Sequence, residues 1–135
     1  LATLVTPNVL EAEALAGIEV RSVADAAEAG RRILALGPGA VLVTGGHLTG
    51  APAADVLVTA DGVDVFEGTW LPDREVHGTG CSFASAVATR LARGALLGLA
   101  IAEAKRYLER LIASAERVGD SALVADHFAA AEAME

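Results

Sequence analysis

The stretch His77-Gly78-Thr79-Gly80-Cys81 holds the residue types best suited to chemistry in this chain of 135 residues. Two glycines bracket a threonine where an Ala-rich helical pattern begins. The backbone there can fold close to a ligand, with successive N–H groups pointing one way. A helix N-terminus adds roughly half a positive charge at that spot. Together these features make an anion hole, suited to the charge on a transferring phosphoryl group. Glycine-rich turns also start helices for steric reasons alone, and spacing does not separate the two readings. Cys81 falls in the first turn of the same helix, where the dipole favours thiolate, and a thiolate can take a proton from a substrate hydroxyl. A lone cysteine beside Phe83 and Ala84 reads equally as an inert apolar side chain.

Two further groups invite a chemical reading. Asn8-x-x-Glu11 has the spacing of a capping box, which only starts a helix. At the carboxyl edge of a parallel sheet the same two side chains face the place where ligands bind, and their oxygens can organise Mg²⁺ through water. Thr44-Gly45-Gly46-His47 follows an apolar strand. Glycines there let a nucleotide approach the backbone, and the Thr44 hydroxyl is within reach of a phosphate; a tight strand-to-loop turn explains the pattern as well. His47, His77 and His127 are read as solvated loop residues. Cysteine and histidine spacing gives no structural zinc site.

The elements that position these residues follow from pattern and punctuation. Leu4-Val5-Thr6 reads as a buried strand ended by Pro7. A helix follows to Ala16, with Gly17 as its stop. Ser22 and Asp25 start a second helix with Val23, Ala26, Ala27, Ile33 and Leu34 on its apolar stripe, stopped by Gly37-Pro38. Val41-Leu42-Val43-Thr44 is a fully apolar strand, so strand, helices and strand make a parallel crossover unit. Val56–Val58 and Val63–Phe66 flank Ala60-Asp61-Gly62 as a hairpin, because glycine accepts positive φ. Residues 67–77 look irregular. A helix from Gly78 to Gly94 places Phe83, Ala84, Val87, Ala88 and Leu91 on one face, with Arg90 and Arg93 near its C-terminus. A further helix is expected to run to about Arg117, burying Ile101, Ala104, Leu108, Leu111, Ile112 and Ala115. A last short helix is expected at Ala125–Ala133. No internal repeat and no dividing linker is seen.

Composition bounds the partners. Hydrophobic residues make up 53% of the chain and aromatics 4%, so the core is built from Ala, Val, Leu and Ile. That much apolar surface excludes a disordered polypeptide. The formal net charge of −8 disfavours nucleic acid and anionic membrane surfaces as partners, since no basic block exceeds Arg31-Arg32. A small anionic ligand held by backbone N–H groups needs no net positive charge. One cysteine cannot form an internal disulfide, which makes a reducing cytoplasm the expected compartment. The longest apolar run, Gly94 to Ala102, is far short of the ~20 residues of a membrane helix. No secretory signal pattern opens the chain.

The three motifs occur together and in order. Thr6-Pro7-Asn8-x-x-Glu11-Ala12-Glu13, Val43-Thr44-Gly45-Gly46-His47-Leu48 and His77-Gly78-Thr79-Gly80-Cys81 resemble the hydroxymethylpyrimidine/phosphomethylpyrimidine kinases of thiamine biosynthesis, within the ribokinase-like superfamily. The resemblance spans Leu1 to about Val118. It implies a three-layer α/β/α fold with a mostly parallel sheet, and ATP-dependent phosphorylation of a pyrimidine's primary alcohol with Mg²⁺. By the same resemblance, the amides of Gly78, Thr79, Gly80 and Cys81 form the γ-phosphate anion hole and Cys81 stands where the catalytic base stands. Asn8 and Glu11 help place Mg²⁺ and phosphate, while Thr44 and Gly46 lie along the ATP phosphates. The matched motifs belong to the family's C-terminal half. Residues 1–135 are thus expected to be the C-terminal part of one kinase domain, with the N-terminal half absent and much of the pyrimidine pocket with it. That the chain opens on Leu1 rather than Met agrees. Association with that missing half, or a homodimer, is expected.

Two departures from the family pattern stand out. Thr44 occupies a position where pyrimidine kinases usually have Lys, and Asp120–Glu135 is Ala-rich where their tail is Gly- and His-rich. Pyridoxal kinase, which shares the Cys-containing signature, is the alternative within the enzyme class. A non-catalytic nucleotide- or phosphate-binding module is the alternative outside it.

Overall fold

Asn8 and Ser22 start the first two helices by the same device. In the computed structural model, which describes residues 1–45, 53–68, 76–119 and 122–132, α1 (Val9–Ala16) and α2 (Val23–Leu34) each open with a capping box. The Asn8 Oδ1 accepts from the Glu11 N–H at 2.9 Å, and Glu11 Oε2 accepts from the Asn8 N–H at 2.9 Å. Two donors that the first turn would leave orphaned are thereby satisfied. Gly17, at φ +68°, ends α1 in the left-handed conformation that glycine adopts without a Cβ penalty. Contacts divide the chain into two compact units, Leu1–Trp70 and Leu71–Glu135.

In the first unit, Val5 and Asn8 make parallel bridges to Val41 and Thr44, which close the crossover around α1 and α2. The expected first strand is reduced to those bridges and is half-buried rather than buried. β1 (Val41–Val43) then pairs antiparallel with β2 (Ala54–Thr59), and β2 pairs antiparallel with β3 (Gly62–Glu67). Among the described residues the parallel contacts are bridges and the longer ladders of this sheet are antiparallel. The bridges sit at the crossover, and β2 and β3 are joined by a tight hairpin. At its corner Thr59 pairs with Gly62, whose φ of +154° suits glycine.

The core of this unit joins Ala12 of α1 and Ala26, Ala27, Ala29 and Ile33 of α2 to Val41, Val43, Val56 and Val58 of the sheet. Small side chains on α2 let the helix approach the sheet closely. At Gly30 a Cβ would stand 2.5 Å from Val58 Cγ2. Full burial of each valine contributes roughly 1.5–3 kcal/mol relative to exposure.

In the second unit, α3 (Thr79–Ala92) and α4 (Leu97–Ala113) are followed by a two-stranded ladder of β4 (Glu116–Val118) and β5 (Ala122–Val124), then α5 (His127–Glu132). Phe83 and Val87 of α3 and Ala100, Ile101, Ala104 and Leu111 of α4 are buried. Ala84 and Leu91, expected on the same face of α3, are half-buried, and Ala88 is exposed. Leu108 and Ile112 are likewise half-buried. The helix expected to reach Arg117 stops at Ala113, and Glu116–Val118 is extended and paired with Ala122–Val124. Arg90, near the α3 C-terminus, forms an ion pair with Glu103 of α4 at 2.8 Å.

Candidate functional site

Gly78 sets the geometry of the α3 N-terminus. Its φ of +85° turns the chain sharply into the helix, a conformation that would strain any other residue. No side chain caps this end. The first helical hydrogen bond runs from the Ser82 N–H to the Gly78 carbonyl at 3.0 Å, and the Ser82 hydroxyl donates to the same oxygen at 2.9 Å. The amides of Thr79, Gly80 and Cys81 therefore have no partner among the described residues. α1 and α2 close their first turns with capping boxes, whereas α3 leaves its donors open. Among the described residues, a Cβ built at Gly78 or Gly80 would meet nothing within 4 Å, so the turn itself is uncrowded at those two positions.

Such a nest of N–H groups at the positive end of a helix fits the phosphates of a nucleotide. Cys81 sits in that first turn with its thiol exposed. A groove of about 510 Å³ runs from Cys81 along α3, lined by Ser85, Thr89 and Arg90 and by Tyr107 and His127. His127 is not simply solvated as expected. Its Nδ1 lies 2.7 Å from the Tyr107 hydroxyl, and the two rings stack with centroids 6.4 Å apart.

In the first unit, Asn8 and Thr44 are brought side by side by their parallel bridge. The Thr44 N–H donates to the Pro7 carbonyl at 2.9 Å and its hydroxyl donates to the same oxygen at 3.4 Å. Asn8 and Glu11 are both exposed. Glu11 Oε2 is engaged by the capping box, which leaves Oε1 without a partner among the described residues. A single carboxylate oxygen with open solvent before it fits a Mg²⁺ that keeps most of its waters. Among the described residues no group of three or more His, Cys, Asp or Glu converges on one point. Gly46 and His47 lie outside the described residues.

One residue was missed by sequence reasoning. Asp55 Oδ1 accepts from the Gly45 N–H at 3.0 Å and ties the start of β2 to the end of β1 beside Thr44. The available signal was an acidic residue at the head of an otherwise apolar strand, Ala54-Asp55-Val56-Leu57-Val58.

An open, glycine-turned helix start in an α/β chain is a feature shared by proteins that handle phosphate groups. The comparisons give the family. The model of the phosphomethylpyrimidine kinase family matches residues 1–126, and the chain belongs to that family. It is 42% identical over 132 residues to the thiamine biosynthesis bifunctional protein ThiED of Geobacter sulfurreducens, a match covering 98% of this chain and 27% of that protein. It is 35% identical over 131 residues to the hydroxymethylpyrimidine/phosphomethylpyrimidine kinase of Staphylococcus aureus, covering 96% of this chain and 48% of that one. The chain superposes on the ADP complex of Bacillus subtilis pyridoxal kinase with a TM-score of 0.86 at 36% identity, covering 95% of this chain and 49% of the other. The ribokinase-like α/β fold expected from the motifs is thereby shown. The chain spans about half the length of the S. aureus and B. subtilis relatives.

Proposed function

We propose that residues 1–135 are the phosphate-handling part of a single kinase domain that transfers the γ-phosphoryl group of ATP to hydroxymethylpyrimidine or its phosphate in thiamine biosynthesis. The observation that carries the reading is the uncapped α3 N-terminus, with Gly78 at φ +85° and three amides behind it that have no partner among the described residues. In this reading the amides of Gly78, Thr79, Gly80 and Cys81 hold the γ-phosphate as charge develops on it. Cys81 acts as the general base that takes the proton of the substrate's primary hydroxyl as that oxygen attacks phosphorus and ADP leaves. Thr44 and Gly46 lie along the remaining phosphates. Asn8 and Glu11 organise a water-bound Mg²⁺, which supplies charge neutralisation when bound. The remainder of the domain comes from a further half-length of polypeptide, and the cytoplasm, where the single thiol stays reduced, is the compartment.

Because phosphoryl transfer asks little covalent chemistry of the protein, positioning and charge stabilisation carry most of the rate. The complete kinase carrying this chain is expected to phosphorylate hydroxymethylpyrimidine with labelled ATP. Cys81→Ala is expected to lower kcat by about 10²–10⁴-fold, the usual contribution of a general base. Undiminished turnover in that variant would remove Cys81 from the mechanism. A second reading, pyridoxal phosphorylation, is favoured by the likeness to the B. subtilis pyridoxal kinase. Side-by-side kcat/KM values for the two alcohols separate them.

A further inference from the structure

The ladder between β1 and β2 stops just before the glycine pair Gly45-Gly46. Its last step pairs Val43 with Val56, so the same register would next set Thr44 opposite Asp55 and Gly45 opposite Ala54. Thr44 turns instead to Pro7, whose carbonyl accepts from its N–H at 2.9 Å and from its hydroxyl at 3.4 Å. The Gly45 N–H donates at 3.0 Å to Oδ1 of Asp55, a side-chain oxygen in place of a main-chain acceptor of β2. Gly45 is buried, while Thr44 and Asp55 are half-buried. A buried N–H is costly to leave unpaired, and a carboxylate makes the bond to it charge-assisted.

We propose that Asp55 is a positioning residue for ATP: its hydrogen bond fixes the Gly45 amide, and with it the start of the Thr44-Gly45-Gly46 segment that lies along the phosphates in the function proposed above. The ladder has its own support, since Val41, Leu42 and Val43 are each paired with β2 and buried. What Asp55 adds is local. Two successive glycines have the widest choice of backbone conformations, and a bond at the first of them removes much of that choice before a ligand arrives. Pro7 holds the chain at Thr44 from the crossover side, and Asp55 holds it at Gly45 from the β2 side. The carboxylate acts through that amide rather than by touching the nucleotide, because a negative charge set against a phosphate repels it. The inference deepens the kinase reading and rests on it.

The test uses the complete kinase carrying this chain, with turnover of hydroxymethylpyrimidine followed at varied Mg-ATP and at varied alcohol. Asp55→Ala removes the acceptor, whereas Asp55→Asn keeps an oxygen at Oδ1 and drops only the charge. Asp55→Ala is expected to raise KM for ATP about tenfold, leaving kcat and the KM for the alcohol within about twofold of the parent. The Kd for Mg-ATP from calorimetry is expected to rise with it, which separates weaker binding from a change in rate-limiting step. Asp55→Asn is expected to bring KM for ATP back to within about threefold of the parent, since its amide oxygen still accepts from Gly45. Asp55→Thr serves if Asp55→Ala does not fold. Threonine suits a strand, but its hydroxyl ends one bond short of Oδ1, so the same rise in KM for ATP is expected.

An unchanged KM and Kd for ATP in Asp55→Ala or Asp55→Thr, with the parent turning over, overturns the positioning role alone. Equal losses in kcat, in both KM values and in the thermal midpoint, with no recovery in Asp55→Asn, assign the residue to folding and overturn it too. A loss confined to ATP that Asp55→Asn does not recover gives the charge itself a direct part, against the role stated here. A parent without phosphoryl transfer removes the kinase reading, and this role with it.

Discussion

Cys81 and Asp25 show how much one side chain's position at a helix start decides. Both stand in first turns, but the donors around them are spent differently. Asp25 closes the capping box of α2: Oδ2 accepts from the Ser22 hydroxyl at 2.8 Å and from the amides of Ser22 at 3.0 Å and Arg21 at 3.1 Å. Chiefly through the Ser22 side chain and then the Arg21 amide, these bonds hold its carboxyl below the usual carboxylate range. A depressed folded-state pKa contributes stability that is present above the ordinary value, near 3.9, and is lost as pH falls through the folded value. Asp25→Asn is therefore expected to lower the thermal midpoint at neutral pH, with the gap to the parent closing below about pH 4. Midpoints measured across that range check it, and a gap independent of pH would assign the loss to packing. At Cys81 the donors of the turn remain open among the described residues, so that position, and not Asp25, is the one proposed to meet a ligand.

At the scale of elements, the close approach of α2 to the sheet makes Gly30 the most constrained position in the first unit. An added methyl would overlap Val58, whose branched side chain is buried in β2. Alanine favours a helix over glycine by about 1 kcal/mol, while overpacking a filled core costs about 1–3 kcal/mol. Gly30→Ala is expected to destabilise by a net of about 1 kcal/mol in denaturant titration. The double variant with Val58→Ala is expected to lose less than the sum of the two single changes. Additive losses would show that the helix shifts freely. The caps, the glycine stop and the crossover were legible in the sequence because each is a local device with its own residue types. The pairing of Glu116–Val118 with Ala122–Val124 was not, since three residues after a helix carry no period of their own and only their partner strand makes them extended. Strand direction after β1 was hidden for a similar reason: the fully apolar Val41–Val43 suits either ladder. Of the site, the glycine motif and Cys81 could be read directly. Asp55 could not, because its role depends on a hydrogen bond across ten positions of chain.

For the whole molecule, charge and site chemistry pull in opposite directions, and the balance is measurable. A net charge of −8 opposes the approach of any anion, including Mg-ATP. The site proposed for the phosphates does not rely on a basic patch to offset that field. It offers fixed amide dipoles at the start of α3, in a chain whose 10 basic residues are outnumbered by 18 acidic ones. Salt acts on these two terms unequally. It screens the long-range repulsion within a Debye length of about 10 Å at 0.1 M, but hardly weakens hydrogen bonds made at contact. A protein that holds a polyanion through many lysines and arginines loses about 10³–10⁵ in affinity between 50 and 200 mM salt. Here the Kd for Mg-ATP of the complete kinase, measured by calorimetry at fixed free Mg²⁺, is expected to stay within about threefold over that interval. A slope as steep as that of a polyanion binder would mean that side-chain cations hold the phosphates, and the amide nest of α3 would lose its place in the mechanism.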